Sequence, residues 1–221
     1  MHLLSITDGR TVYDVQLARH QRADEANHLV SQRYAGRGYN CSDQVPSSSR
    51  HTLVVTGGAY DSTLATLTIA DGTYDALPAE RLFADEIGHM RREDNRISEY
   101  TRFASVAELR SSQVIAALFQ TALYFSRVVV GASRIICEVN PRHVSFYRRN
   151  LGFVPAGAEK HDASVGAPGV LLGQGTDQLH RWTEEVPDPT RPRYYRNALP
   201  PMEKQRLANS LSTVVASIAV A

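Results

Sequence analysis

Two short apolar runs separated by one long helical stretch constrain this chain more than anything else in it. Ile97 to Phe103 and Arg134 to Val139 read as strands. Between them, from about Val106 to Val128, Leu109, Val114, Leu118, Ala122 and Phe125 recur on one helical face. A connection of that length is a crossover rather than a hairpin, and a helix with one apolar stripe must lie on the sheet it links.

The flanking segments extend the pattern. Alternation over Thr11–Leu17 predicts a strand, and Ala23, Ala26, Leu29, Val30 and Tyr34 predict a helix ending near Gly36. His51–Val55 and Ser62–Ala70 flank Gly57-Gly58-Ala59-Tyr60-Asp61 as an antiparallel hairpin. Ala79, Leu82, Phe83, Ile87 and Met90 mark a second helix, entered after Pro78. Pro141 opens a short helix, Gly152-Phe153-Val154 starts a strand, and Pro168–Leu172 is the next one. The tail is rich in Pro and Arg from Pro187, then helical over Met202–Ile218. The expected fold is α/β, a mixed and largely antiparallel sheet with helices on both faces. Residues 1–186 form one domain and 187–221 a C-terminal extension packed on it or on a partner.

Charge excludes one class of partner. Basic and acidic residues number 24 and 23, a net charge of +1, which gives no cationic field for nonspecific nucleic-acid binding. No run reaches the roughly 20 apolar residues that span a bilayer, and the start has no signal-peptide pattern. Cys41 and Cys137 lie far apart without metal spacing and read as free thiols. The histidines form no metal constellation. These readings place the chain in the reducing cytoplasm, with no nucleic-acid partner, no membrane span and no metal.

The densest chemistry lies in Cys137–Phe153. A strand ends at Asn140, a helix presents Phe146 and Tyr147, and Gly152-Phe153 begins the next strand. Phe146, Phe153 and Tyr147 all suit packing of that helix on the sheet. His143 has a pKa range useful to a general base, but in the first helical turn capping or packing is the commoner role. In Ile97–Phe103, strict alternation puts Glu99 and Thr101 on one face and Ser98, Tyr100 and Arg102 on the other. Glu99 and Arg102 can then act together only if a β-bulge turns both toward one site; otherwise they belong to a solvated strand face.

The Asn140…Phe146-Tyr147…Gly152-Phe153 run resembles the signature of the GNAT acyltransferases. The resemblance implies that Tyr147 lies near the donor sulfur and protonates the leaving thiolate. Glu99-x-x-Arg102-Phe103 resembles a motif of the acyl-homoserine-lactone synthases, a branch of the same superfamily. There the Glu deprotonates or orients the amine and the Arg organises the site. Arg33, Tyr34 and Tyr39, with Asp43 beyond them, fall where those synthases carry an Arg, aromatics and an acid. From Arg33 to Leu172 the chain is most similar to the bacterial N-acyl amino acid synthases, with Val139–Tyr147 and Ala167–Leu172 carrying most of the likeness.

That likeness implies an N-acyltransferase that moves a long fatty acyl chain from an acyl carrier protein thioester to an amino acid. Glu99, Arg102 and Tyr147 are its catalytic candidates. Arg33, Tyr39, Phe103, Ala104, Asn140 and His143 are its substrate-binding candidates, with an N–H near Phe103 or Ala104 polarising the thioester carbonyl. No cofactor is held permanently; the acyl-phosphopantetheine thioester is a co-substrate. The family's usual glycine-containing phosphate turn is missing from Ala104–Ser112. That argues against tight coenzyme A binding, since glycines let backbone N–H groups approach a pyrophosphate. Ser105, Arg110, Ser111 and Ser112 are left as phosphopantetheine contacts or as helix caps. An acidic carrier predicts a basic patch, for which Arg142, Arg148 and Arg149, and secondly Arg91 and Arg92, are available; a solvated helix face is the plainer reading. Two alternatives stay open: a coenzyme A-dependent N-acetyltransferase, and a catalytically silent module that binds an acyl ligand or a partner.

Overall fold

The computed structural model describes residues 1–36, 47–58, 62–93, 96–163, 166–185, 188–196 and 199–219. Its strands are β1 (His2–Asp8), β2 (Thr11–Leu17), β3 (Arg50–Gly57), β4 (Ser62–Asp71), β5 (Ile97–Ser105), β6 (Arg134–Val139), β7 (Val154–Pro155), β8 (Lys160–Asp162) and β9 (Ala167–Gly175). Its helices are α1 (Gln21–Ala35), α2 (Glu80–Arg92), α3 (Ser112–Phe125), α4 (Val144–Leu151), α5 (Thr176–Glu184) and α6 (Pro201–Ala219). The strands form one sheet in the order β1-β2-β3-β4-β5-β6-β9-β7, with β8 paired to β9. Every pairing is antiparallel except β5 with β6, the pair joined through α3.

Two layers of helices cover this sheet. On one face α2 buries Phe83, Ile87 and Met90 against Ala70, Ile97, Ile136 and Leu171, and α1 lays Leu29 and Val30 on Ala104. On the other face lies the main core, where α3 packs on Leu53, Leu67, Tyr100 and Ile135. Strand alternation sorts the residues between the two: Ile135, Cys137 and Val139 point to α3, Ile136 to α2.

The crossover helix begins six residues later than its periodicity predicts. Ser111 accepts a hydrogen bond from the Val114 N–H at 3.2 Å and so ends the preceding loop as an N-cap. At its other end α3 runs into a π-helical turn, Ser126–Val130. By length and composition Ser112–Val130 could cross a membrane, but 67% of its apolar window is buried inside the fold, as in a core helix. The sheet covers one side of α3, and α5, α6 and a 3₁₀ turn at Arg193–Tyr195 cover the other. A helix enclosed in this way is apolar all round.

Three elements fall outside the expected order. β1, from the stretch ahead of Thr11, pairs with β2 and contacts α6. The three-residue β8 is too short for a periodicity to register, and α5 follows β9 directly. The extension is part of the core rather than an appendage. Leu207, Leu211 and Val214 of α6 are fully buried at helical spacing, and Gln120 of α3 donates to the Tyr194 carbonyl and accepts from the Leu199 N–H. Leu211→Ala should therefore cost about 2–4 kcal/mol in denaturant unfolding, while Met202→Ala on the exposed side of α6 should stay within about 0.5 kcal/mol.

Candidate active site

The site is created where β5 and β6 part. Their parallel pairing runs Ile97↔Arg134, Ser98↔Ile135, Glu99↔Ile136 and then stops. β5 continues beside β4 to Ser105, and β6 beside β9 to Val139. The two strands splay into a cleft at their carboxyl ends, the position where open α/β sheets bind ligands. Beyond Glu99 the β5 edge toward β6 has no strand partner among the described residues.

A bulge shapes the β5 wall of that cleft. Thr66 pairs with Ala104 and Thr68 with Thr101, so Leu67 alone opposes both Arg102 and Phe103. Arg102 takes up the extra residue with a left-handed backbone, φ 56°, which costs a non-glycine residue about 1–2 kcal/mol. The bulge resets the alternation. Tyr100 and Phe103 both meet Phe119 of α3, at ring-centroid distances of 6.2 and 5.0 Å, although they are three residues apart. Glu99, Arg102 and Ala104 share the opposite face: Glu99 meets α2, and Arg102 donates to Asn27 Oδ1 of α1 at 3.0 Å. The condition under which Glu99 and Arg102 face one side is thus met by the backbone.

The α2 side of the cleft is acidic. Glu99 is 2% exposed and accepts the Ala79 N–H, at the start of α2, at 2.9 Å. Burial is the largest influence on its pKa, which is pushed up to about 8 against the opposing pull of that hydrogen bond; nearby Glu138 adds to the rise. The Glu99 carboxyl is therefore mostly protonated at neutral pH. Glu138, on the same face of β6, is also pushed up, first by burial and then by Asp162. A side chain at position 169 would collide with it, since a Cβ there would stand 2.6 Å from Glu138 Oε1. Asp162 itself is buried against Arg81.

The α3 side is aromatic. Phe103 stacks on Phe146 of α4 at 6.0 Å and 19°. Tyr147 meets Phe146 edge-on at 5.3 Å and Phe153 at 6.3 Å, while Tyr194 closes on both Phe119 and Phe146. Burial pushes the Tyr147 phenol well above its ordinary range, so it stays protonated. α4 is held in place by Gly152, at φ 70°, where a Cβ would fall 2.5 Å from the Trp182 ring.

The remaining candidates divide between the cleft and the scaffold. Ala104 is buried under α1. Arg33 Nε donates to the Ser105 carbonyl at 2.7 Å, tying the end of α1 to the end of β5. Both polar groups of Asn140 engage backbone: Oδ1 accepts from the Arg142 N–H and Nδ2 donates to the Pro168 carbonyl. His143 accepts from Arg142 Nε. Arg91 is held by both oxygens of Glu80, which leaves Arg92 exposed from the second basic pair. Arg148 and Arg149 stand exposed on α4. Tyr39 and Asp43 lie outside the described residues. Asn27, Ala79 and Glu138 join the site from elements distant in sequence, and no local motif marks them.

A splayed β5/β6 pair, a bulge in its first strand and an aromatic helix after its second define a GNAT-type acyltransferase fold. Solved structures agree. N-acyl amino acid synthase FeeM from uncultured soil microbes superposes with a TM-score of 0.69 at 22% identity, over 76% of this chain and 94% of that one. Escherichia coli ElaA gives 0.52 at 11% identity, over 73% and 98%. Spermidine N-acetyltransferase of Vibrio cholerae, in its complex with CoA and spermine, gives 0.51 at 14% identity, over 75% and 98%. None of the curated proteins matches this chain in sequence. The N-acyl amino acid synthase FeeM family matches residues 25–174. The chain belongs to that family, and it is an N-acyltransferase.

The state of Glu99 is measurable without substrate. Its folded pKa lies above its unfolded value, so the folded state keeps a proton that the unfolded chain releases. Stability is full below the unfolded pKa and falls as pH rises toward about 8. Wild-type unfolding free energy should drop by on the order of 1 kcal/mol per pH unit across that window. Glu99→Gln keeps an acceptor for Ala79 and should flatten the slope, read by denaturant titration from pH 5 to 8.

Proposed function

We propose that the protein transfers a long-chain fatty acyl group from an acyl carrier protein thioester to the amine of an amino acid. The observation that carries this reading is the two-sided cleft, with aromatic rings on one side of the parted strands and buried carboxyls on the other. The apolar chain and thioester suit the Phe103–Phe146–Tyr147 side. The polar amine suits the side of Glu99 and Glu138, whose carboxyls can hydrogen-bond it. The glycine-free, Ser111-capped start of α3 offers a poor seat for a pyrophosphate, which supports a carrier-bound donor over free coenzyme A. A cytoplasmic location accords with such a donor.

Transfer is direct in this reading. Glu99, in its ionised form, accepts the ammonium proton, through a water because its carboxyl is buried against Ala79. The free amine attacks the thioester carbonyl carbon, and the carbonyl oxygen is held by an N–H of the open β5 edge near Phe103 or Ala104. The carbon–sulfur bond breaks, the Tyr147 phenol gives its proton to the departing thiolate, and the tyrosinate takes up the second N–H proton that the nitrogen sheds as the amide forms. Arg102, fixed by Asn27, sets the potential around the acceptor.

Mass spectrometry of lipid extracts from bacteria expressing the protein should reveal new N-acyl amino acids, whose head group names the acceptor. With the purified enzyme, Glu99→Gln should lower kcat/KM by about 100-fold or more, and the rise of wild-type rate through pH 8 should disappear. Tyr147→Phe should act on kcat by about tenfold or more. An unchanged lipid profile from folded protein with an adequate acyl-donor pool would reject the reaction. Full activity in Glu99→Gln would remove Glu99 from it.

A further inference from the structure

We propose that the C-terminal extension, together with α4, forms the surface on which an acidic carrier protein docks; this rests on the donor assigned above. A pocket of roughly 570 Å³ lies between these two segments. Arg148 and Arg149 enter it from α4, and Arg191, Arg193 and Arg196 from the stretch after α5. Arg191 builds the wall: it pairs with Glu185 at 2.9 Å and donates to the Trp182 carbonyl at 3.0 Å. Its own carbonyl accepts from Arg196 Nε at 3.1 Å. Arg148, Arg149 and Arg193 are exposed and have no acidic partner among the described residues.

Arginines gathered around one concavity, of which Arg191 alone has a carboxylate partner among the described residues, repel one another unless a further anion joins them. The chain as a whole carries only +1, so this is a local concentration and not a consequence of general basicity. A nucleic acid would need a broader cationic track than one pocket on a nearly neutral protein. An acidic protein face needs only a patch of this size, with planar forks that match carboxylates. The position also fits. Phe146 lines the pocket and stacks on Phe103 in the cleft, so a carrier seated there has its acyl arm beside the reacting strand. Three of the five arginines lie past residue 174, where the family match ends.

The test is titration of the full chain with acyl-loaded carrier protein at low and near-physiological salt. Arg193→Glu with Arg196→Glu, and separately Arg148→Glu with Arg149→Glu, should each raise Kd roughly tenfold or more and flatten its salt dependence. The two pairs sit on separate elements, so a folding defect in one leaves the other as readout. Arg10→Glu, a charge reversal at the exposed β1–β2 turn, should leave Kd unchanged. Unchanged affinity in both pairs, or an equal loss in Arg10→Glu, overturns the surface. Equal loss of affinity for coenzyme A overturns it in favour of a small phosphate seat. A wild-type chain that binds the carrier through these arginines yet takes no acyl group from it supports the surface and defeats the donor reading.

Discussion

Everything distinctive in this molecule follows from the point at which β5 and β6 stop sharing hydrogen bonds. Up to Glu99 and Ile136 the sheet is continuous, and beyond them each strand follows its other neighbour. An opened parallel pair leaves backbone polar groups unpaired along the interior of the sheet, which a fold tolerates only where a ligand or water meets them. The bulge belongs to the same feature. A bulge bends its strand and increases local twist, which carries β5 away from β6, and it rotates Arg102 onto the face of Glu99. The left-handed backbone of Arg102 is unfavourable, and its hydrogen bond to Asn27 helps offset the cost.

Two groups of opposite chemistry are kept in the protonated state by the same physical cause. Glu99 and Tyr147 both lose hydration by burial, and both pKa values rise. The phenol thereby keeps its proton. For the carboxyl the rise brings ionisation near pH 8, where an amine acceptor also begins to lose its proton. Glu99 also holds the N–H of Ala79, the residue that caps α2. Position and ionisation are thereby coupled in one side chain, and a glutamine separates them.

The extension has a comparable double character. Tyr194, Tyr195, Leu207 and Leu211 enclose α3 from the side away from the sheet, and Arg193 and Arg196 remain at the surface beside α4. Gly152 links the two regions: its left-handed turn lets Trp182 and Pro192 pack where a side chain would stand. Without α6 and the 3₁₀ turn, the apolar back of α3 would face water.

Periodicity was sufficient for α1, α2, the β3–β4 hairpin and the strands about the crossover, because each buries one face against the sheet and its sequence carries that face openly. The resemblance to acyltransferase motifs singled out Glu99, Arg102 and Tyr147, whose residue types and spacing are local properties. Periodicity misplaced the start of α3, where a serine cap overrides an apolar run, and it passed over β1 and α5, whose burial depends on elements at the far end of the chain. Strict alternation put Glu99 and Arg102 on opposite faces, and only the pairing of β5 with β4 decides otherwise, since a bulge is a mismatch between two strands. The contributions of Asn27, Ala79 and Glu138, and the meeting of Arg148 with Arg193, have the same origin. They are distances between segments far apart in sequence, and those distances exist only after the sheet has formed.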